Sequence, residues 1–409
     1  MPDVKIEIGF DLSANGIGSY FTLDDTTKGV LDNATFKLAG TVLTDVTQYA
    51  RTFTTRRGRS RQLDRFTAGA ATVVLDNRAR TFDPLAGTAL TPYAGQIVPR
   101  KELRVSVNNL DVFTGQIEDW NLTYQLSGDS IAEAQCSDGF ALIANQTLNA
   151  GTAAAQSSGA RITSYLNALG WPTAQASVAT GQATLLADVI SENTNGLQYL
   201  QKVEASEGGG AALFVNKSGL MTFRDRSQVQ TFGGVAFGTG GIPFQAIDVQ
   251  YGTETLYTEA TVTRSSSSTS TIGTATAANA TAVTAYGPTT YTVDTLLDSG
   301  GQAEQLANWL VGKYSTPQYV VRSITVNLGA LSSTQLVQVL GLELADVIQV
   351  TWTPNNIGSA LSQYLLVDAI EHRADPGQHY VTLSMSAQQV AFQLDSTFFG
   401  LLDSNILGL

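Results

Sequence analysis

Thr72-Val73-Val74-Leu75-Asp76-Asn77 is a short β-branched run that ends on two residues suited to left-handed turn geometry. The same grammar returns in Leu103-Arg104-Val105-Ser106-Val107 and in Val112-Phe113-Thr114-Gly115-Gln116-Ile117. Short period-2 runs at this spacing, with Asp83-Pro84 and Gly87 as further breakers, predict a barrel or sandwich over residues 41–136. Upstream, Asp3-Val4-Lys5-Ile6-Glu7-Ile8-Gly9-Phe10 alternates like a strand and lacks the long apolar core of a signal peptide. Residues 1–40 are therefore expected to be an N-terminal arm with strands.

The period changes between 137 and 228. Ile162, Tyr165, Leu166 and Leu169 fall at helical spacing, and Gly170-Trp171-Pro172 ends that helix. A second helix is predicted over 196–206, where Leu197, Leu200, Val203 and Glu204 follow the same rule. Residues 211–215 and 220–224, joined by a turn at 216–219, form a hairpin candidate, so this stretch is expected to be an α+β insertion. Strands resume at 246–251 and 259–264. The Ser/Thr/Ala-rich residues 265–284 carry few large apolar groups and are expected to be an exposed loop or β-arm within a connecting β domain, 229–318. Residues 302–314 place Ala303, Leu306, Ala307 and Leu310 on one helix face. Period-2 strands then follow at 320–327, 347–353, 364–370 and 380–385, the last two joined by Asp375-Pro376-Gly377, which predicts a second barrel over 319–391. The fold class is thus mainly β with an α+β insertion, in a tandem β-barrel arrangement.

Composition narrows the function. A formal net charge of −12 opposes general nucleic-acid binding, because phosphate neutralisation needs clustered cations. Charged residues make up 14%, well below the roughly 25% of ordinary soluble domains, which suggests surface covered by partners. One cysteine, Cys136, excludes an intramolecular disulfide framework, and two histidines leave few nitrogen ligands for a metal. No run of 18 apolar residues occurs, so no membrane-spanning helix is expected. These features point to a soluble protein made in the cytoplasm, with neither cofactor nor metal.

The most specific local feature is the basic stretch Arg56-Arg57-Gly58-Arg59-Ser60-Arg61 with Arg65 behind it. Guanidinium groups suit bidentate pairing with carboxylate or phosphate. In an acidic chain the preferred reading is an intersubunit seam in which Arg56, Arg57, Arg59, Arg61 and Arg65 meet carboxylates of a neighbouring subunit. Gly16-Ile17-Gly18 lacks the third glycine of a nucleotide loop and reads as a turn. Asp24-Asp25, Glu118-Asp119 and Asp294 with Asp298 are carboxylate pairs that would serve glycoside hydrolysis only if opposed across a cleft, and nothing in the spacing opposes them. His372 and His379 flank the 375–377 turn and are expected to meet across a hairpin, with Glu371 and Asp375 as conceivable oxygen ligands. Ser265–Ser268 has no nucleophile elbow, and Cys136 no catalytic context. No catalytic residue is assigned.

Residues 392–409 hold Phe398, Phe399, Leu401 and Leu402 with Ile406, Leu407 and Leu409. An apolar tail is costly in water. It is read as core packing, as a membrane contact or, for Phe398, Phe399, Leu401 and Leu402, as a surface that docks on the next protein of an assembly.

One family resemblance rests on these residues. Thr54-Thr55-Arg56-Arg57-Gly58-Arg59, Leu75-Asp76-Asn77-Arg78, Thr81-Phe82-Asp83-Pro84, Pro92-Tyr93, Pro99, Val105 and Phe113-Thr114-Gly115-Gln116-Ile117-Glu118-Asp119-Trp120 resemble the N-terminal region of minor tail proteins of long-tailed phages of actinobacteria, the tail-tip or baseplate hub type. The helix over 304–314 with the strand over 319–328 resembles their later barrel. The resemblance implies a virion protein at the tail tip. It implies a homotrimeric ring of tandem barrels that joins the hexameric tail tube to the tip, encloses the DNA channel and contacts distal tail, tape measure and fibre proteins. Two related barrels per chain would let a trimer offer six similar elements to a sixfold partner, and an acidic lumen would let DNA pass without sticking. Family members with a lytic extension exist, and this chain is not expected to be one. The alternative is a receptor- or glycan-binding tail protein that meets the host through aromatics such as Trp171 or Tyr286.

Overall fold

Residues 2–10, 43–266 and 271–388 are described in a computed structural model of the chain. The first half supplies β1 (Val4–Ile8), β2 (Thr44–Asp45), β3 (Ala50–Gly58), β4 (Thr67–Asp76), β5 (Glu102–Val107), β6 (Leu110–Tyr124) and β7 (Ser130–Ser137). Alternation explains them. In β7 Ala132, Ala134 and Cys136 point into the core while Glu133 and Gln135 face outward, and in β4 Ala71, Val73 and Leu75 are buried. The second half supplies Phe232–Gly238, Ala246–Gly252, Gln318–Asn327, Val347–Trp352, Leu361–Asp375 and Gln378–Ala387.

These thirteen strands form one hydrogen-bonded sheet. Each half is antiparallel within itself, except that Phe232–Gly238 runs parallel to Val347–Trp352. The halves meet where β3 pairs with Leu361–Asp375, from Gly58 opposite Ala369 to Phe53 opposite Ala374. The tandem β-architecture is thus continuous through a single junction. Two strands of the second half, Phe232–Gly238 and Ala246–Gly252, arise well before residue 319.

The insertion after β7 is α+β. It comprises α1 (Gly139–Ala144), α2 (Ser158–Ala168), α3 (Gly196–Glu207) and the hairpin Ala212–Val215 with Met221–Arg224. Side-chain oxygens of Asp138, Ser157 and Asn195 cap the three helices by accepting from the first-turn N–H groups. Further on, Glu259–Ser265 lies between Thr271–Ala278 and Thr290–Thr295 in a small sheet covered by α5 (Gly300–Tyr314). The stretch expected to be a loop or arm over 265–284 therefore carries a strand and the helix α4 (Ala280–Tyr286). Its alanines are the reason: Ala275 turns inward with Ala260 and Val262, and small side chains let α5 approach closely. A further helix, α6 (Ser333–Gly341), begins with a Ser332–Gln335 capping box.

Candidate functional site

The arginine stretch lies on β3 and the loop after it, at the junction of the two halves. Strand alternation divides it. Phe53, Thr55 and Arg57 face the interior and Arg56 faces out; Arg59, just past the strand, is buried again. Arg57 Nη1 donates to Glu343 Oε1 at 2.6 Å, and Glu343 also accepts the backbone N–H groups of Lys217 and Leu344. Burial pushes the Glu343 carboxyl up, but Arg57 and those N–H groups outweigh it and hold it below the usual carboxylate range. Arg59 Nε donates to Asp368 Oδ1 at 2.7 Å, and its guanidinium lies 4.7 Å from the Phe66 ring centre.

Of the exposed members, Arg56 and Arg61 reach across the same junction and Arg65 reaches α3. Arg56 is 3.7 Å from Glu371, Arg61 is 3.0 Å from Glu254, and Arg65 donates to Gln201 at 3.5 Å. The carboxylates expected on a neighbouring subunit thus belong, for Arg56, Arg57, Arg59 and Arg61, to the second half of the same chain. For Arg57 and Arg59 this corrects the expected seam. Their side chains are 4% and 5% exposed, so another subunit cannot reach them. A buried pair is weak evidence for net stability, but an unmatched buried charge is costly, so these pairs select one register for the junction.

His372 and His379 meet as expected. Nδ1 of the first lies 3.2 Å from Nε2 of the second, both rings are buried, and Phe53 of β3 packs edge-on to His379. Burial lowers the His379 pKa to about 4; burial, His379, Arg57 and Lys217 hold His372 well below its ordinary value. Glu371 and Asp375 do not join them, being paired with Arg56 and Arg373. Among the described residues no group of three His, Cys, Asp or Glu side chains is placed to hold a metal.

Beside the junction is a cleft of about 200 Å³, walled by Arg59, Glu204 of α3, the Gly208–Gly210 turn, Tyr291, and Trp309 and Tyr314 of α5. Burial pushes the Glu204 carboxyl up to about 7, against the pull of Arg59 and the Leu213 N–H. Burial also pushes the Lys313 amine down to about 7 while Nζ donates to Gln388 Oε1 at 2.7 Å.

The remaining candidates lie apart. Glu118 pairs with Arg100 and accepts from Ser137 Oγ, while Asp294 pairs with Lys202. The Cys136 thiol is buried and its pKa raised. Trp171 is half-buried, its ring against Gly139 and its Nε1 donating to the Gln175 carbonyl, whereas Tyr286 is exposed. Gly16, Gly18, Asp24 and Asp25, like Phe398, Phe399, Leu401 and Leu402, lie outside the described residues. Among the described residues no helix is long and apolar enough to cross a membrane. Glu343 and Asp368 escaped the sequence reading because nothing local marks a carboxylate as an arginine's partner. Glu204 and Lys313 carried the one available signal, a charge at a core-facing helical position.

No family model and no curated protein matches the sequence. Among solved structures the chain is similar to the 43 kDa tail protein of prophage MuSo2 from Shewanella oneidensis, with a TM-score of 0.59 and 11% identity over 95% of this chain and 97% of that one. It is likewise similar to the tail protein from Neisseria meningitidis MC58, with a TM-score of 0.61 and 10% identity over 95% and 97%. At such identities the likeness is one of fold.

Proposed function

We propose that the chain is a structural, non-enzymatic subunit of a phage tail, acting as a tail-tip or baseplate hub. In this reading three copies form a ring that joins the tail tube to the tip and fibre proteins and encloses the DNA channel. The observation that carries it is the fold likeness to two tail proteins along nearly the whole length of each chain. A single continuous sheet, locked at its middle by buried ion pairs, suits a part that transmits load rather than one that opens around a substrate. Two antiparallel halves per chain would let a trimer offer six similar elements to a sixfold tube. Exposed Arg56, Arg61 and Arg65 remain candidates for subunit contact, and Phe398, Phe399, Leu401 and Leu402 for docking on the next tail protein.

The test is the mass of the purified chain by light scattering over a concentration series, alone and with a tail-tube protein. A mass three times that of the chain, in either sample, supports the ring. A strict monomer in both would overturn it.

A further inference from the structure

The two histidines sit where the two halves of the sheet are joined. His372 is opposite Thr55 of β3, in the middle of the ladder that runs from Gly58–Ala369 to Phe53–Ala374. His379 lies on the other arm of the hairpin, opposite Ala374, and Phe53 of β3 covers it. At 3.2 Å the two rings share one hydrogen bond. The two tautomer arrangements are not equivalent. His379 Nδ1 is buried without a partner among the described residues. With Nε2–H of His379 donating to Nδ1 of His372, that buried atom is a bare lone pair; the reverse arrangement would strand an N–H there, which costs more.

The charged groups around the pair are mostly cationic or already matched. Arg57 reaches in from β3, and Lys217 from the turn after Ala212–Val215. Glu343, before Val347–Trp352, is engaged by Arg57 and by the Lys217 N–H. On the hairpin itself Glu371 points to the opposite face from His372, out towards Arg56 at 3.7 Å, and Arg373 and Asp375 hold each other. No carboxylate is thus left over to balance an imidazolium at this spot, and a second proton would set two N–H groups against each other.

We propose that the His372–His379 pair is an acid-sensitive latch between the two half-sheets, closed while both rings are neutral and released when they are protonated. The two sites titrate as a coupled unit, the first proton charging a buried pair next to Arg57 and Lys217, the second removing the acceptor of the shared hydrogen bond. Release loosens the β3 ladder and leaves β4–β7 intact, because the hairpin that carries both rings is hydrogen-bonded to the first half through β3 alone. The inference does not depend on the hub reading. A metal is the competing use of two nitrogens at this distance, but metal-bound histidines ordinarily donate their other N–H to an oxygen, and His379 Nδ1 meets none.

The chain contains two histidines, so every imidazole NMR signal of the full-length protein reports this pair. The experiment follows those signals from pH 8 to pH 2.5, below the lowered values of both rings, together with amide exchange of residues 53–58 and of β6, in the wild type and in His379→Gln, whose amide keeps a donor towards His372. The expected result is that both rings stay neutral at pH 6 and then titrate together, with protection at 53–58 falling about tenfold or more while β6 stays protected. His379→Gln should keep its junction protected over the same range. Rings that titrate at the ordinary value without a change in exchange, an equal acid loss in His379→Gln, or stoichiometric zinc binding that removes the titration would each overturn the latch. Should His379→Gln not fold, the two wild-type readouts decide alone.

Discussion

Arg59 and Asp368, 309 residues apart, are joined twice: the side chains by a 2.7 Å hydrogen bond, and the Arg59 backbone N–H to the Asp368 carbonyl at 2.9 Å. The ladder brings the two residues together, and the charge pair makes that register the only one without a stranded ion. Asp368→Ala should therefore lower unfolding free energy by about 3–5 kcal/mol, while Arg59→Met with Asp368→Leu should come near the wild type. Urea denaturation of the three proteins measures this. A loss below about 1 kcal/mol for Asp368→Ala would show that the charge is not buried as described.

Gly58 stands one residue before this contact with a φ of +123°, and a Cβ there would meet the Asp368 carbonyl oxygen at 2.1 Å. Only glycine is free in that backbone region. Gly58→Ala should cost at least about 1–3 kcal/mol through strain alone, read as a lowered thermal midpoint. An unchanged midpoint would mean that the β3 junction is looser than the ladder indicates.

Glu204 has a folded pKa raised to about 7 by burial, above the unfolded value of 4.5. Between those values the folded chain holds a proton that the unfolded chain has lost, so this group withdraws stability as pH rises through the window. Glu204→Gln, neutral and of similar shape, should match the wild type near pH 4.5 and exceed it at pH 8. Equal pH dependence in the two proteins, compared by thermal unfolding, would rule this out.

Arg56, Arg61 and Arg65 are surface residues in weak or solvated contacts. Reversing all three to Glu should leave the fold intact, with a loss on the order of 1 kcal/mol, while reducing any trimer seen by light scattering. An oligomer of undiminished mass would remove these arginines from the subunit interface.

Much of the architecture was readable from local pattern. Alternation marked β4, β5, β6 and the last strands, helical spacing marked α2, α3 and α5, and Asn216 with Gly219 marked the hairpin of the insertion. Two further signals lay in the sequence: Ser332 with Gln335 opens α6, and Ala275 turns inward on the strand Thr271–Ala278, within the stretch expected to be a loop or β-arm. These signals are legible because side-chain periodicity and capping are set by residues a few positions apart. What the tertiary structure decided is which edges meet. Nothing near Arg57 or Arg59 announces Glu343 or Asp368, because those partners follow from β3 lying against Leu361–Asp375 in one register, and register is chosen by burying whole faces of both halves at once. The arginine cluster, the histidine pair and the turn between the histidines stood in the sequence. That they form one junction is a property of the assembled sheet.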